Sequence, residues 1–163
     1  MKKNFLLTIF ICTLTMTSSF GQTQLVEGRA RVIDGDTIKI GKSRIRLHGI
    51  DAPESKQRCK DKKLNYWLCG HAATKALRKK INNRDVECFS DKKDKYKRHI
   101  AMCAVDGMNL NQWLVLNGWA VAYRKYSRDY VEAETAAKSI ETGIWAGEFV
   151  LPWEWRRGKR LKQ

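Results

Sequence analysis

The chain has 163 residues, with 32 lysines and arginines against 17 acidic residues and a formal net charge of +15. This length supports one domain with one modest core rather than several domains. The single strongly apolar run, residues 5–16, is too short and too often interrupted by threonine for a stable membrane span, so we expect a mature chain without a spanning helix.

The N-terminal segment is typical of a secretory signal peptide. Lys2 and Lys3 precede the apolar run, and Ser19-Phe20-Gly21 provides small residues of the kind that a signal peptidase requires. We expect residues 1–21 to be removed and residues 22–163 to form a single domain. The mature protein is therefore expected to be exported, either secreted or periplasmic.

Three strands are predicted next, in a meander. Residues 25–33 lead into a turn at Asp34-Gly35, residues 37–40 alternate between apolar and polar side chains, and residues 45–50 alternate again. Pro53 ends the third strand. Residues 56–63 are polar and basic, which predicts a surface loop.

The remaining chain combines helices with a hairpin. Apolar residues at helical spacing predict helices over residues 71–82, 109–116 and about 130–141, the second of them capped by Asn109. Residues 86–89 and 100–105 predict a hairpin, and residues 119–123 are predicted to be extended. Five strands with a helix after the third indicate an α+β, mainly β fold: a five-stranded oligonucleotide/oligosaccharide-binding (OB) barrel with about three helices.

Four cysteines remain in the predicted mature chain. An even number after a signal peptide predicts two disulfides, and three pairings are possible. The local pairing, Cys59–Cys69 and Cys88–Cys103, would close a short polar loop and join two neighbouring strands. The alternative is a zinc site that also uses His71 and His99, although the spacing matches no familiar zinc pattern.

The excess of positive charge has more than one explanation. It attracts polyanions, raises encounter rates with them and gives salt-sensitive affinity for phosphate backbones. Binding to an acidic polysaccharide or a bacterial surface, or a simple need for solubility, would explain the positive charge as well. Charge alone does not choose among these.

Three acids and two arginines carry the chemical signal of the sequence. Carboxylates hold hard divalent cations through oxygen, and arginines bind phosphate through paired, planar hydrogen bonds. Together they indicate a metal-dependent phosphodiesterase that acts on nucleic acid. Each alone has an ordinary explanation, as a turn residue or a solvated charge. The five residues are Asp36, Arg46, Asp51, Glu54 and Arg98.

The segments that contain these residues resemble the thermonuclease family, of which staphylococcal (micrococcal) nuclease is typical. The resemblance lies in residues 33–37 (IDGDT), 46–54 (RLHGIDAPE) and 94–98 (DKYKR), in that order, and in residues 143–145 (GIW). It covers about residues 25–145, and it implies the five-stranded barrel with three helices. A basic, tryptophan-rich tail over residues 146–163 has no useful counterpart.

The resemblance implies a role for each charged residue. Asp36 and Asp51 match calcium-binding aspartates, and Ala52 stands where a backbone carbonyl contacts the metal. Glu54 matches the glutamate beside the attacking water, whereas Arg46 and Arg98 match the arginines that hold the phosphate. The implied reaction is Ca²⁺-dependent hydrolysis of DNA and RNA that breaks the bond to the 5′-oxygen and leaves 3′-phosphate ends.

Four further residues match the family's nucleotide pocket. Aromatic faces beside a basic groove suit the stacked bases of single strands, so we expect single-stranded substrates to be preferred. We also expect the enzyme to be a monomer. The sequence departs from the family where Lys97 and His99 replace glycines. The competing hypothesis is a non-catalytic OB-fold module that binds nucleic acid or an acidic glycan. The four residues are Lys95, Tyr96, Tyr123 and Tyr126.

Overall fold

The computed structural model describes residues 23–162 of the chain. The predicted signal peptide, residues 1–21, lies outside this range, so its cleavage stays a prediction. No helix within the described range is long and apolar enough to cross a membrane.

The described part of the chain contains ten strands, five of which form a closed barrel. They are β1 (Gln24–Val32), β2 (Thr37–Ile40), β3 (Ser43–Leu47), β4 (Ile50–Asp51), β5 (Cys59–Lys60), β6 (Tyr66–Trp67), β7 (Asp85–Lys93), β8 (His99–Val105), β9 (Met108–Asn109) and β10 (Val121–Ala122).

The barrel follows the order β3-β2-β1-β7-β8. Neighbouring strands are antiparallel, and a parallel pairing between β3 and β8 closes the ring. The short strand β9 adds to the outer edge of β8. The predicted α+β, mainly β OB barrel is therefore confirmed.

Residues 23–162 also contain four α-helices: α1 (Cys69–Ile81), α2 (Leu110–Leu116), α3 (Val131–Ser139) and α4 (Pro152–Arg156). The first three correspond to the predicted helices. As predicted, Asn109 caps α2, since its side chain accepts a hydrogen bond from the Gln112 amide at 3.0 Å. Helix α4 lies in the tail and was not predicted, because its five residues give no helical period.

The core explains how the strands orient their polar residues. Ile38, Ile45 and Leu47 are fully buried inside the barrel, and α1 adds Leu77 and Ile81 from one end. Because side chains alternate along a strand, burial of Ile45 and Leu47 turns Arg46 to the other face. The apolar pattern of β3 thus presents Arg46 at the rim of the barrel.

Two local predictions were wrong. Residues 45–50 do not form one strand, because a turn at His48-Gly49, with Gly49 at φ +71°, separates β3 from β4. Strand β4 then pairs with β10 instead of continuing in the barrel. Residues 56–63 are not simply a surface loop, since the buried Cys59 begins β5.

Both predicted disulfides are present, between Cys59 and Cys69 and between Cys88 and Cys103. The first joins β5 to the start of α1, and the second joins residues that face each other across β7 and β8. All four cysteines of residues 23–162 are in disulfides, so the alternative of zinc ligation by Cys59 and Cys69 was wrong.

Candidate active site

A pocket of about 510 Å³ opens at the rim of the barrel. Its walls come from the turn after β1, from β3, from the segment after β4, and from the hairpin between β7 and β8. Both acidic and basic side chains of the predicted set line it, together with three tyrosines. The predicted residues in its lining are Asp36, Arg46, Ala52, Glu54, Tyr96, Arg98, Tyr123 and Tyr126.

Asp36 is held in the turn between β1 and β2. Only 3% of the residue is exposed. Its Oδ2 accepts a hydrogen bond from the Ala52 amide at 2.8 Å, and its Oδ1 accepts one from the Thr37 hydroxyl at 3.2 Å. These bonds fix the carboxylate against the segment after β4, although the two positions are 16 residues apart.

One guanidinium contacts both aspartates. Arg46 Nη1 is ion-paired with Asp36 Oδ1, and Arg46 Nη2 lies 2.7 Å from Asp51 Oδ1. Asp51 is fully buried at the end of β4 and lies behind the pocket wall. The two carboxylates are therefore close enough together to share a single positive group.

Glu54 is fixed through its backbone, while its side chain remains accessible. The Glu54 amide donates to Gln57 Oε1 at 3.2 Å, and the Glu54 carbonyl accepts from the Gln57 amide at 2.7 Å. About 37% of the Glu54 side chain is exposed. The carboxylate can therefore reach a water molecule or a substrate in the pocket.

Arg98 is held by Asp94 across the tip of the hairpin. Asp94 Oδ2 accepts from Arg98 Nε at 2.8 Å and lies 2.7 Å from Nη2, while Oδ1 accepts from the Tyr96 and Arg98 amides. Burial alone would raise the pKa of Asp94, but these hydrogen bonds lower it overall. Lys97 adopts φ +61°, the left-handed conformation expected at a family glycine.

Aromatic rings lie on two sides of the pocket. Tyr96 is 65% exposed, and the Arg98 guanidinium lies 5.4 Å from the centre of its ring. Lys95 does not line the pocket, but its ammonium lies 5.1 Å from the same ring. Tyr123 and Tyr126 meet edge to face with centroids 4.8 Å apart.

A third arginine enters the site from the tail, and the sequence reasoning missed it. Arg156 Nη2 lies 2.7 Å from Asp51 Oδ2, and Arg156 Nη1 lies 2.7 Å from Glu54 Oε1. Burial alone would lower the pKa of Arg156, but hydrogen bonds to Asp51 and Glu54 raise it overall, so the group stays charged. The aromatic and basic run that contains it, residues 153–157, was the available signal.

The sequence has clear relatives. Residues 44–147 match the family described as staphylococcal nuclease homologue. The chain belongs to the staphylococcal nuclease family. The predicted resemblance is thereby confirmed, as is the predicted enzyme class, a hydrolase of the nuclease type.

Individual relatives in this family carry different names. The succinoglycan biosynthesis protein ExoI of Rhizobium meliloti (strain 1021) is 35% identical over 141 residues, which cover 85% of this chain and 74% of that protein. An uncharacterized endonuclease of Escherichia coli is 36% identical over 143 residues, covering 82% and 87%. The probable staphylococcal-like nuclease CAN1 of Oryza sativa subsp. japonica is 33% identical over 129 residues, covering 77% of this chain and 36% of its own length.

The staphylococcal nuclease segment contains most of the site but not all of it. Arg46, Asp51, Glu54 and Arg98 fall within residues 44–147, whereas Asp36 precedes this segment and Arg156 follows it.

The acidic residues fit a calcium ion by their chemistry. Asp36 and Asp51 offer hard oxygen donors of the kind that Ca²⁺ prefers, and each contacts the same Arg46 guanidinium. Within residues 23–162 no three or more histidine, cysteine or acidic side chains are grouped so that they alone could hold a metal ion. The Ala52 carbonyl, water and substrate phosphate would have to complete the shell, which suits the irregular coordination that Ca²⁺ accepts.

Proposed function

We propose that this nuclease is an exported, Ca²⁺-dependent phosphodiesterase that hydrolyses DNA and RNA, leaving 3′-phosphate ends. One observation carries the proposal: Arg46 joins Asp36 to Asp51 in a pocket that Glu54 and Arg98 also line. These are two carboxylates for a cation, two arginines for a phosphate and one acid for a water molecule.

The main obstacle to hydrolysis of a phosphodiester is the negative charge of the substrate. A phosphodiester is already anionic, and its oxygens gain further charge in the transition state, so fixed positive groups stabilise that state more than the ground state. Arg46 and Arg98 are the proposed phosphate ligands, and both are held by acidic partners that limit their motion. A bound calcium ion would supply additional positive charge at the same phosphoryl oxygens.

Glu54 is the residue proposed to act on water. Its carboxylate faces the pocket from a backbone that Gln57 holds. It would orient a water molecule or take its proton while the water oxygen forms a bond to phosphorus. The bond from phosphorus to the 5′-oxygen then breaks, and a proton goes to the leaving oxygen. The products are a 3′-phosphate and a 5′-hydroxyl.

The substrate class follows from the pocket's surroundings. Lys95, Tyr96, Tyr123 and Tyr126 supply a cation and aromatic faces, and bases of a single strand stack on such faces with little sequence preference. The net charge of +15 supports attraction to nucleic acid of any sequence. We propose that the monomer acts on DNA and RNA and prefers single strands.

Export is supported by the cysteines. Two disulfides persist in an oxidising compartment and are rare in the cytosol. We propose that residues 1–21 direct the protein there, to the periplasm or the medium. Mass spectrometry of the protein recovered from outside the cytoplasm should find an N-terminus at Gln22, and a chain that retains Met1 would contradict this.

The central test is digestion by the purified mature protein. Single-stranded DNA, plasmid DNA and RNA are incubated with calcium, with chelator, and with calcium restored after chelator. We expect cleavage of all three only when calcium is available, with the single strand cut fastest. Tight binding without cleavage across several divalent metals would instead favour the non-catalytic module.

Two further measurements sharpen this test. Labelling of the product ends should reveal 3′-phosphates, and 5′-phosphates would overturn the proposed direction of cleavage. Asp51→Asn and Glu54→Gln should each abolish most of the activity, whereas Glu132→Gln, which removes an exposed charge on α3, should leave it unchanged.

A further inference from the structure

We propose that Arg156 is a positioning residue of the active site: it is the resident counter-ion of Asp51 and Glu54, and a divalent cation must exchange with it to reach Asp51. This inference rests on the proposed function, since it takes Asp51 as a cation ligand. It adds a residue that lies outside the matched family segment and outside the five charged residues of the sequence motifs.

Both carboxylate oxygens of Asp51 are already occupied. Oδ1 accepts from Arg46 Nη2 at 2.7 Å and from Arg156 Nη1 at 3.0 Å, and Oδ2 accepts from Arg156 Nη2 at 2.7 Å. The pairing with Arg156 is the two-pronged arrangement that makes arginine–carboxylate bonds strong and directional. A cation that binds Asp51 must contact one of these oxygens. It would then lie beside the positively charged guanidinium of Arg156, and the two positive charges would repel each other.

The same guanidinium also holds Glu54. Arg156 Nη1 donates to Glu54 Oε1 at 2.7 Å, so one side chain restrains both the proposed cation ligand and the proposed water-orienting acid. Movement of Arg156 would free both carboxylates together. About 38% of the Arg156 side chain is exposed, so it has a path to solvent on the open side of the pocket.

The backbone of the tail is anchored independently of Arg156. Trp153 stacks on Tyr123 with ring centroids 5.1 Å apart and planes 3° from parallel. The buried Gln57 donates to the Val150 carbonyl at 2.6 Å. Backbone bonds between Lys60 and Glu148 add a further attachment. Exchange therefore requires rotation of one long side chain while the tail stays docked.

Calcium titration by calorimetry, without nucleic acid, tests the exchange. The proteins are the wild type, Arg156→Ala, Arg156→Lys, Asp51→Asn and the matched control Arg157→Ala, which removes the same charge as Arg156→Ala from the adjacent exposed position. We expect Arg156→Ala to bind calcium about tenfold more tightly than the wild type, a coupling typical of two ligands that oppose each other. Arg157→Ala should change the affinity by less than about twofold, as screened surface charges do. Arg156→Lys keeps the charge but loses the two-pronged geometry, so its calcium affinity should lie between those of the wild type and Arg156→Ala.

The outcomes separate the two proposals. If Arg156→Ala and the wild type bind calcium equally, or if Arg156→Ala binds more weakly, the exchange is overturned while the calcium site stands. If no protein binds calcium, or if Asp51→Asn binds as well as the wild type, the proposed cation site itself fails.

A measurement on the unmodified protein covers the case in which the variants fold poorly. Arginine side-chain NMR signals, assigned with the Arg156→Lys and Arg157→Lys proteins, are followed during calcium addition. We expect the Arg156 Nε–H signal to shift with saturation of the site and the Arg157 signal to stay in place. An Arg156 signal that is unchanged at saturating calcium would overturn the exchange.

Discussion

Gly70, in the first turn of α1, lies directly against the peptide carbonyl of Glu54. A Cβ added at residue 70 would overlap the carbonyl oxygen and carbon of Glu54, and both are backbone atoms that cannot rotate away. The helix can therefore approach the segment after β4 only because residue 70 has no side chain. This close packing sets the position from which Glu54 enters the pocket.

Replacement of Gly70 by alanine should displace Glu54. We expect the main effect on kcat rather than on the stability of the fold. Misplacement of a reacting group by about 1 Å can cost about 100-fold in rate, so we expect a fall of 10- to 100-fold in kcat. Steady-state kinetics on single-stranded DNA and thermal unfolding would be measured together. Without the overlap, alanine in a helix would stabilise the protein by about 1 kcal/mol, so raised stability with full activity would contradict the packing argument.

Substitution of Arg98 and of Asp94 should distinguish a residue that binds the phosphate from a residue that holds it in position. We expect Arg98→Ala to lower kcat by about 10²–10³-fold, the usual effect of removing a group that stabilises transition-state charge. Asp94→Ala keeps the arginine but removes the carboxylate that holds it, so its loss of kcat should be smaller. The exposed Arg44, two residues before Arg46 on the same strand, provides the control Arg44→Ala. Full activity in Arg98→Ala would count decisively against the assigned site.

Glu134 should link stability to pH. It is 1% exposed, and its carboxylate accepts from the Ala122 amide at 3.0 Å, from Arg124 at 2.6 Å and from Lys138 at 2.9 Å. Burial alone would raise its pKa, but these hydrogen bonds lower it below the ordinary 4.5. A lowered folded-state pKa gives stability that is present above about pH 4.5 and is lost as pH falls through the folded value.

The measurement is urea unfolding of Glu134→Gln and of the exposed control Glu132→Gln at pH 7 and pH 3. We expect Glu134→Gln to cost about 2 kcal/mol at pH 7, because the amide lacks the negative charge that pairs with Arg124 and Lys138, whose side chains are about half exposed. The cost should shrink at pH 3, where the wild type has also lost its carboxylate charge. A difference between wild type and Glu134→Gln that does not depend on pH would refute this reading.

The two disulfides should differ in their effect on activity. By the loop-closure estimate, removal of either should cost about 3 kcal/mol of stability. Cys88–Cys103 lies within the barrel wall, so its removal as the double alanine variant should leave activity largely intact at low temperature. Cys69 adjoins Gly70 and its sulfur contacts the Gln57 carbonyl, and both Gln57 and Gly70 contact the backbone of Glu54. Removal of the Cys59–Cys69 disulfide should therefore also reduce kcat. Equal kcat in both double variants would show that this link does not position Glu54.

The barrel and most of the proposed active site were predictable because their determinants are local. Alternation of apolar residues fixes which face of β3 carries Arg46. The chain also keeps the buried acid Asp51 close to the accessible acid Glu54, because the two are only three residues apart. The resemblance to the family then gave each of these residues an expected role. The number of disulfides followed from the number of cysteines.

What the sequence could not provide is proximity between distant segments. Arg156 and Asp51 are 105 residues apart, and Gln57 and Val150 are 93 apart, yet both pairs are in hydrogen-bond contact. No periodic pattern encodes such a contact, because it depends on how the tail packs against β5 and Tyr123 in the folded protein. The sequence by itself thus determined the strands of the barrel and the order of the five charged residues, since these follow from alternation and spacing. The pairing of the four cysteines was open among three choices until the fold brought Cys59 to Cys69 and Cys88 to Cys103. Only the tertiary structure decided that Arg156, from the tail, contacts two of these five residues.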